Sequence, residues 1–174
     1  MDALDRLIAI EEIRRLKAAY FRLADKIDPF GRPYPAGSDE AIDLFVQLFT
    51  DEAVMDIRGA IPGATASDLF LATGRNAIRA LLTTGNATPV RSCHHGYTHE
   101  IDILSPTAAS GLWAMESRDQ FDDSRPITKT HSFGHYAETY QYVAGSWKIN
   151  SLTVTKYWSE ATANPGGSWD EGNA

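Results

Sequence analysis

Cysteine is the scarcest residue type in this chain of 174 residues, which contains Cys93 alone. A single cysteine forms no intramolecular disulfide and supplies no multi-cysteine zinc or iron–sulfur site. The fold therefore has to rest on a hydrophobic core, and the 43% apolar content is sufficient for one domain of this size. We expect the cytoplasm as its compartment.

Positive charge is also in short supply. The chain has 16 Lys and Arg residues against 23 Asp and Glu residues, and the basic ones are scattered along the sequence. Proteins that bind nucleic acid or anionic membranes carry a basic patch, so we expect neither partner. The composition favours a small, neutral or mildly polar ligand.

Long apolar runs are missing as well. No segment approaches the length of about 20 residues that spans a bilayer. Residues 1–9 include Asp2, Asp5 and Arg6, unlike a secretory signal. The sequence also lacks a glycine-rich phosphate loop, a dinucleotide fingerprint and a Gly-x-Ser-x-Gly elbow, which argues against nucleotide-dependent chemistry.

The first half of the chain predicts helices. Residues 4–27 place apolar side chains every three or four positions, which is typical of an amphipathic helix, and this helix should end near Asp28-Pro29. Two shorter helices are predicted at 39–49, with Ser38 as N-cap, and at 74–82, closed by residues 84–86. The loop at 29–38 is long enough to suggest a lid.

The second half predicts strands. Apolar and polar residues alternate in segments separated by turns, at 53–58, 91–103, 108–121, 133–143 and 147–158. Helices followed by such strands predict a single α+β domain over residues 1–158, followed by a polar tail at 159–174. We expect a curved, mostly antiparallel sheet that wraps around the N-terminal helices and forms a cone with an apolar interior.

Three of the five histidines lie within residues 91–103. Side chains alternate along a strand, so His94 and His95 should face opposite sides of the sheet. The same alternation places His99 on the face of His95, which argues against a metal site built from all three. Cys93 should face away from His94, as a packing residue rather than a nucleophile.

A series of short motifs follows a fixed order. They are Ala-Asp-Lys at 24–26, Leu-Phe-Thr-Asp-Glu-Ala-Val at 48–54, Gly-Arg-Asn-Ala-Ile-Arg at 74–79, His-His at 94–95, Gly-His-Tyr at 134–136 and Gly-Ser-Trp-Lys-Ile at 145–149. In order and spacing they resemble the SnoaL-like branch of the nuclear transport factor 2-like (NTF2-like) superfamily. The resemblance implies a cystatin-like α+β cone, assembly into a homodimer or higher homo-oligomer, and a small hydrophobic or polycyclic ligand.

The resemblance also assigns roles to individual residues. The Asp–His pair of dehydratase and dehydrochlorinase members falls on Asp25 and His94, and the tyrosine of a dehydratase member falls on Tyr20. Some members use an arginine late in the chain, for which this sequence offers Lys156. The implied chemistry is proton removal beside an activated carbon, without a metal or an organic cofactor.

General chemistry supplies a mechanism for these residues. An aspartate holds a histidine in one tautomer and stabilises its protonated form, which leaves the other ring nitrogen to accept a substrate proton. Tyr20 would donate a hydrogen bond to a substrate oxygen. The alternatives are that Asp25 is a solvated residue at a helix end and that Tyr20 is a core residue with a satisfied hydroxyl.

Three further residues are candidates for substrate binding. His135 would act as a second acid opposite His94, or else be a hydrogen-bonded structural histidine. Trp113 would supply an aromatic wall, although core packing is the simpler account. Asn150 would orient a ligand oxygen, on the strength of its strand position alone.

Together these observations predict a cofactor-independent lyase or isomerase for a small cyclic or aromatic substrate, with loss of water as the leading reaction. Double-bond isomerisation, cyclisation and retro-aldol cleavage use the same proton transfer and stay open. The alternative is a non-catalytic ligand-binding or dimerisation module, which predicts an apolar cavity with Asp25 in solvent. A hydrolase or monooxygenase is disfavoured, because the Asp-Arg-Asp set of the epoxide hydrolases has no counterpart here.

Overall fold

The computed structural model describes residues 1–35, 38–59, 71–83, 90–122 and 127–163. It contains three helices, α1 (Ala3–Ala24), α2 (Glu40–Val46) and α3 (Arg75–Thr83). The strands are β1 (Phe49–Gly59), β2 (Leu71–Thr73), β3 (Arg91–Ser105), β4 (Ala108–Gln120), β5 (Ile127–Val143) and β6 (Ser146–Ala163). None of the described helices is long and apolar enough to cross a bilayer.

Helix α1 is capped at both ends by aspartates. The Asp2 carboxylate accepts the backbone N–H of Asp5 at 2.8 Å, and the Asp5 carboxylate accepts that of Asp2 at 3.2 Å. At the other end Asp25 is the C-cap, and Lys26 adopts a φ of 56°. This left-handed residue ends the helix before the predicted Asp28-Pro29 boundary. As a result Asp25 points away from the helix body, free to meet another element.

The predictions for the start of α2, the end of α3 and the strands have different outcomes. Asp39, not Ser38, is the N-cap of α2, although the Ser38 hydroxyl accepts the backbone N–H of Glu40 at 3.2 Å. The predicted closure of α3 at 84–86 lies outside the described residues. Strand β2 was not predicted, because three residues beside a glycine- and proline-bearing segment give no periodic signal.

The six strands form one sheet in the order β2-β1-β6-β5-β4-β3. Only β1 and β6 pair in parallel, so the predicted mostly antiparallel α+β sheet is confirmed. The edge strands β2 and β3 do not pair with each other, so the curled sheet stays open and is not a closed barrel. Strand β6 continues to Ala163, into the stretch predicted as tail, and residues 164–174 lie outside the described part of the chain.

The core lies between the helices and the face of the sheet that we call the inner face. Each strand contributes alternate residues to it, among them Met55, Trp113, Tyr136 and Leu152, all buried. The helices contribute a second buried set, namely Ile13, Tyr20, Leu23, Ala41, Phe45 and Ile78. Burying one large apolar side chain contributes about 1.5–3 kcal/mol, so this layer fixes α1 against the sheet.

Strand β3 is irregular in the middle of the histidine segment. Its register with β4 shifts between Tyr97 and Glu100, and Thr98 has a φ of 32°. His95 lies on the outer face, but the ring of His99 lies 4.9 Å from that of the inner-face residue Trp113. The prediction that His95 and His99 share a face is therefore wrong, because the irregularity interrupts the two-residue alternation.

Candidate active site

Asp25 and His94 are in direct contact. The imidazole Nδ1 of His94 lies 2.6 Å from Oδ1 of Asp25, and the backbone N–H of His94 donates to Oδ2 at 2.9 Å. The hydroxyl of Ser92 donates to Oδ1 at 3.2 Å. Three donors thus hold one carboxylate, which fixes the proton of His94 on Nδ1 and leaves Nε2 as an acceptor.

The pair is accessible. The side chain of His94 is 20% exposed and that of Asp25 is 15% exposed. The imidazole is therefore partly open to solvent, while the carboxylate behind it is shielded enough for its hydrogen bonds to be strong. This arrangement matches neither a purely apolar cavity nor an aspartate in bulk solvent, which were the two marks of a binding module.

The spacing between α1 and β3 depends on a glycine. A Cβ added to Gly96 would overlap the ring of Phe21 and lie 3.6 Å from Trp113. Phe21 is one helical turn before Asp25, and Gly96 is two residues after His94 on the same face of β3. The Phe21–Gly96 contact and the Asp25–His94 contact therefore lie side by side between α1 and β3. The close approach of Phe21 to Gly96 sets the distance between Asp25 and His94.

Polar residues continue across the inner face beside His94. The strand register aligns His94 with Ser117, Ser117 with Ser132, and Ser132 with Ser159. The hydroxyls of Ser132 and Ser159 lie 2.8 Å apart. This row therefore places three hydroxyl groups in line with His94 across the inner face.

Lys156 lies on the inner face of β6, opposite Gly134. Burial lowers the pKa of its ammonium group, and the charge of Asp119 on β4 opposes that shift. Asp119 also accepts the Thr130 hydroxyl at 3.3 Å. Lys156 is thus a half-buried cation on the same face of the sheet as His94.

A second charged pair lies deeper in the core. The ammonium of Lys17 and the carboxylate of Glu138 form a salt bridge in which both side chains are 0% exposed. The hydroxyl of Tyr140 donates to the other carboxylate oxygen of Glu138 and accepts the indole N–H of Trp113 at 2.8 Å. Burial lowers the pKa of Lys17 to about 8, although the charge of Glu138 opposes the shift.

This buried network was missed in the sequence, although a signal was present. Lys17 occupies the helical stripe of Ile13 and Tyr20, where a charged residue needs a partner inside the core. Glu138 alternates with the buried Tyr136 and is itself on the inner face of β5. A charged residue at a core position of a helix, together with an opposite charge at a core position of a strand, is the sequence signal of a buried ion pair.

Tyr20 connects the two polar regions. Its ring lies 3.9 Å from the ammonium of Lys17 and 5.7 Å from the ring of Tyr136. Burial raises the pKa of Tyr20, as do the charges of Glu138 and, more weakly, Asp25, whereas a hydrogen bond with the Tyr136 hydroxyl lowers it. The phenol therefore stays protonated and remains a hydrogen-bond donor within the electrostatic reach of Asp25.

The remaining candidates do not converge on the pair. His135 lies on the outer face of β5, with its ring 5.7 Å from that of the exposed Tyr157. The side-chain oxygen of Asn150 accepts the hydroxyl of Thr50 at 3.2 Å, between β6 and β1. Trp113 is buried on the inner face next to Gly96, so it lines the interior and packs in the core at once.

Comparison with known proteins agrees with this architecture. The SnoaL-like domain family matches residues 5–153. A candidate scytalone dehydratase from Novosphingobium aromaticivorans superimposes with a TM-score of 0.71 at 20% identity, covering 97% of this chain and 100% of that one. A type 2 hexachlorocyclohexane dehydrochlorinase gives a TM-score of 0.71 at 14% identity, with coverage of 99% and 100%.

A candidate aromatic ring hydroxylase from Novosphingobium aromaticivorans gives a TM-score of 0.68 at 21% identity, covering 93% of this chain and 96% of that one. At these identities the solved structures show a shared fold. No curated protein sequence matches the chain. The family match extends over most of the chain and includes both Asp25 and His94. The chain therefore belongs to the SnoaL-like domain family.

Proposed function

We propose that this protein is a cofactor-independent lyase or isomerase that removes a proton beside an activated carbon, with water elimination as its reaction. The observation that carries the proposal is the contact of 2.6 Å between His94 Nδ1 and Asp25 Oδ1 in a partly exposed site. A solvent-accessible imidazole held by a shielded carboxylate is the arrangement that general acid–base catalysis needs.

The mechanism follows from the fixed tautomer. His94 Nε2 accepts a proton from the carbon next to the substrate carbonyl, and Asp25 stabilises the imidazolium that forms. The electron pair of the broken C–H bond forms the C=C bond as the C–O bond of the adjacent hydroxyl breaks. The imidazolium returns its proton to the departing oxygen, so one molecule of water leaves and His94 is again neutral.

Charge that builds on the carbonyl oxygen needs a donor. Tyr20 supplies it in this proposal, because its phenol stays protonated in the buried site. Lys156 provides a half-buried positive charge on the same face of the sheet as His94. The aromatic side chains of Phe21 and Trp113 beside Gly96 favour a cyclic or aromatic substrate body.

The relatives support this chemistry by their names. One structural neighbour is a candidate scytalone dehydratase and another is a hexachlorocyclohexane dehydrochlorinase, and both names describe eliminations. Double-bond isomerisation, cyclisation and retro-aldol cleavage start with the same proton transfer and are the alternative outcomes at this site.

A homodimer or higher homo-oligomer belongs to the same proposal. Light scattering on the purified protein measures its molar mass and so its oligomeric state.

The test uses a panel of cyclic β-hydroxy ketones, whose dehydration gives a conjugated enone that absorbs in the ultraviolet. Wild-type protein should dehydrate at least one of these ketones. It should also catalyse the exchange of the substrate proton beside the carbonyl for solvent deuterium. Asp25→Asn should lose both activities. Asp102→Asn, which removes an exposed carboxylate on the outer face of β3, is the matched control and should retain them. Binding without turnover or exchange would instead indicate a ligand-binding module.

A further inference from the structure

The outer face of the sheet carries a depression of about 540 Å³ where β3, β4 and β5 lie side by side. The outer-face side chains that enclose it include the basic and polar residues Arg91, Arg118, Gln120, Lys129 and His131, and one carboxylate, that of Glu160 on β6. They alternate with inner-face residues such as Ser92, which is hydrogen-bonded to Asp25. The depression therefore lies on the opposite side of the sheet from the candidate active site.

The strand register explains why basic residues gather there. Arg91 pairs with Gln120, and Gln120 pairs with Lys129, so these residues form one row across three strands. Arg118 lies two residues before Gln120 on β4 and is a diagonal neighbour of both cations. Diagonal neighbours on one face are about 7–8 Å apart at the backbone, a separation that long basic side chains readily span.

Two of these three cations have no acidic partner within the part of the chain that the structure describes. Among the described residues, no carboxylate lies within salt-bridge distance of Arg91 or Lys129, and both side chains are exposed. Arg118 donates to Glu116 at 3.1 Å, and Glu116 also accepts from Tyr97 and His131. The depression therefore gathers two cations without a salt bridge to a described carboxylate, against the single outer-face carboxylate of Glu160. Its local charge is positive in a chain whose net charge is −7.

We propose that this depression binds a multiply charged oxyanion, of the kind presented by a phosphate group. Guanidinium groups bind such oxygens through paired N–H donors, and an ammonium group adds a point charge. Arg91 and Lys129 supply the unpaired charge from either side, and the amide of Gln120 supplies a neutral donor between them. The site lies on the face of the sheet opposite to the His94 imidazole.

The binding test is a titration of the full chain with inorganic phosphate, followed in two-dimensional amide NMR spectra at constant ionic strength. Saturable shifts should appear in β3, β4 and β5 around Arg91, Gln120 and Lys129. The double variant Arg91→Gln/Lys129→Gln should bind phosphate at least about tenfold more weakly, since it loses two charge-assisted contacts. The matched control is Arg6→Gln, which removes an exposed cation from α1.

Parallel titrations identify the form of the anion. Acetate, a monoanion, should bind more weakly than phosphate, and phenyl phosphate distinguishes a phosphate ester from the free ion. Tighter binding of the ester assigns the site to a phosphorylated organic ligand, and equal binding assigns it to the phosphate group alone. Absence of saturable binding, or equal weakening by Arg6→Gln and by the double variant, would overturn the proposal.

Discussion

Helix α1 carries two charged contacts with the sheet, and they differ in burial. Lys17 reaches Glu138 in the core, where both side chains are 0% exposed. Asp25, the C-cap, reaches His94 at the edge of the inner face, where the side chains are 15% and 20% exposed. One partner of each pair comes from α1 or its C-cap and the other from the same sheet, so the two pairs differ in that one is sealed in the core and the other is partly open to solvent.

The difference follows from the position along α1. Lys17 lies in a buried stripe with Ile13 and Tyr20, and its charge is tolerated because Glu138 and three aromatic rings surround it. Asp25 follows the last helical residue, where the chain turns away and the carboxylate meets the backbone and ring of His94. We therefore expect variants at the first pair to change stability and variants at the second to change activity.

The largest effect is expected at His94. His94→Gln should lower kcat on a responsive substrate by about 10²–10⁴-fold, because general acid–base groups contribute that much. The midpoint of thermal unfolding should change little, since the side chain is partly exposed. His95→Gln, on the outer face of the same strand, is the control and should keep full activity.

The buried pair should show the reverse behaviour. Lys17→Met or Glu138→Gln alone leaves a charge without its partner and should destabilise the protein by about 3–5 kcal/mol in urea unfolding. The double variant Lys17→Met/Glu138→Gln removes both charges and should lose much less. Single variants as stable as the wild type would show that the pair does not hold the core.

A smaller effect should follow from widening the gap between α1 and β3. Gly96→Ala places a methyl group against Phe21 and should move Asp25 away from His94. A misplacement of about 1 Å at a catalytic group lowers activity by about 10²-fold. Adding Phe21→Leu makes room for the methyl group and should restore much of the kcat. A double variant no better than Gly96→Ala would contradict this role of the contact.

The smallest effect concerns pH. Burial lowers the pKa of Lys17 to about 8, whereas an unfolded lysine keeps its proton up to about pH 10.4. The unfolded state thus binds more protons between these values, so this group makes stability rise with pH from about 8 towards 10. Urea unfolding at several pH values up to about 9.5, before unfolded tyrosines ionise, measures the slope.

The double variant Lys17→Met/Glu138→Gln should have a smaller slope. Burial also lowers the pKa values of Lys148 and Lys156, so those two groups contribute with the same sign and part of the slope should remain. An unchanged slope in the double variant would show that Lys17 titrates in the folded protein as it does in the unfolded chain.

Periodicity in the sequence was enough to predict the order of the elements other than β2, the mostly antiparallel sheet and the opposite faces of His94 and His95. It was not enough where the backbone departs from regular geometry. The irregularity after Tyr97 turned His99 inward, and the left-handed Lys26 ended α1 early. The residues with positive φ at these two positions, Thr98 and Lys26, are not glycines, so no local sequence signal marked them.

Strand register was the other quantity that the sequence did not contain. The register shows that His135 and the alternate residues of β5 on its side face outward. Alternation alone defines two faces without identifying the inner one. The register also brought Arg91, Arg118 and Lys129 together, although the basic residues appear scattered along the chain. Partners far apart in sequence, such as Lys17 and Glu138, are likewise set only by tertiary packing.

The most direct test is a proton NMR spectrum in water, because it needs no substrate. A proton in the bond between His94 Nδ1 and Asp25 Oδ1, 2.6 Å apart, should resonate far downfield of the amide region. His131 and Glu116, also 2.6 Å apart, should give a second signal, which Glu116→Gln removes. The account predicts that Asp25→Asn abolishes the first signal and spares the second. A wild-type spectrum without the first signal, or its survival in Asp25→Asn, would contradict the catalytic pair.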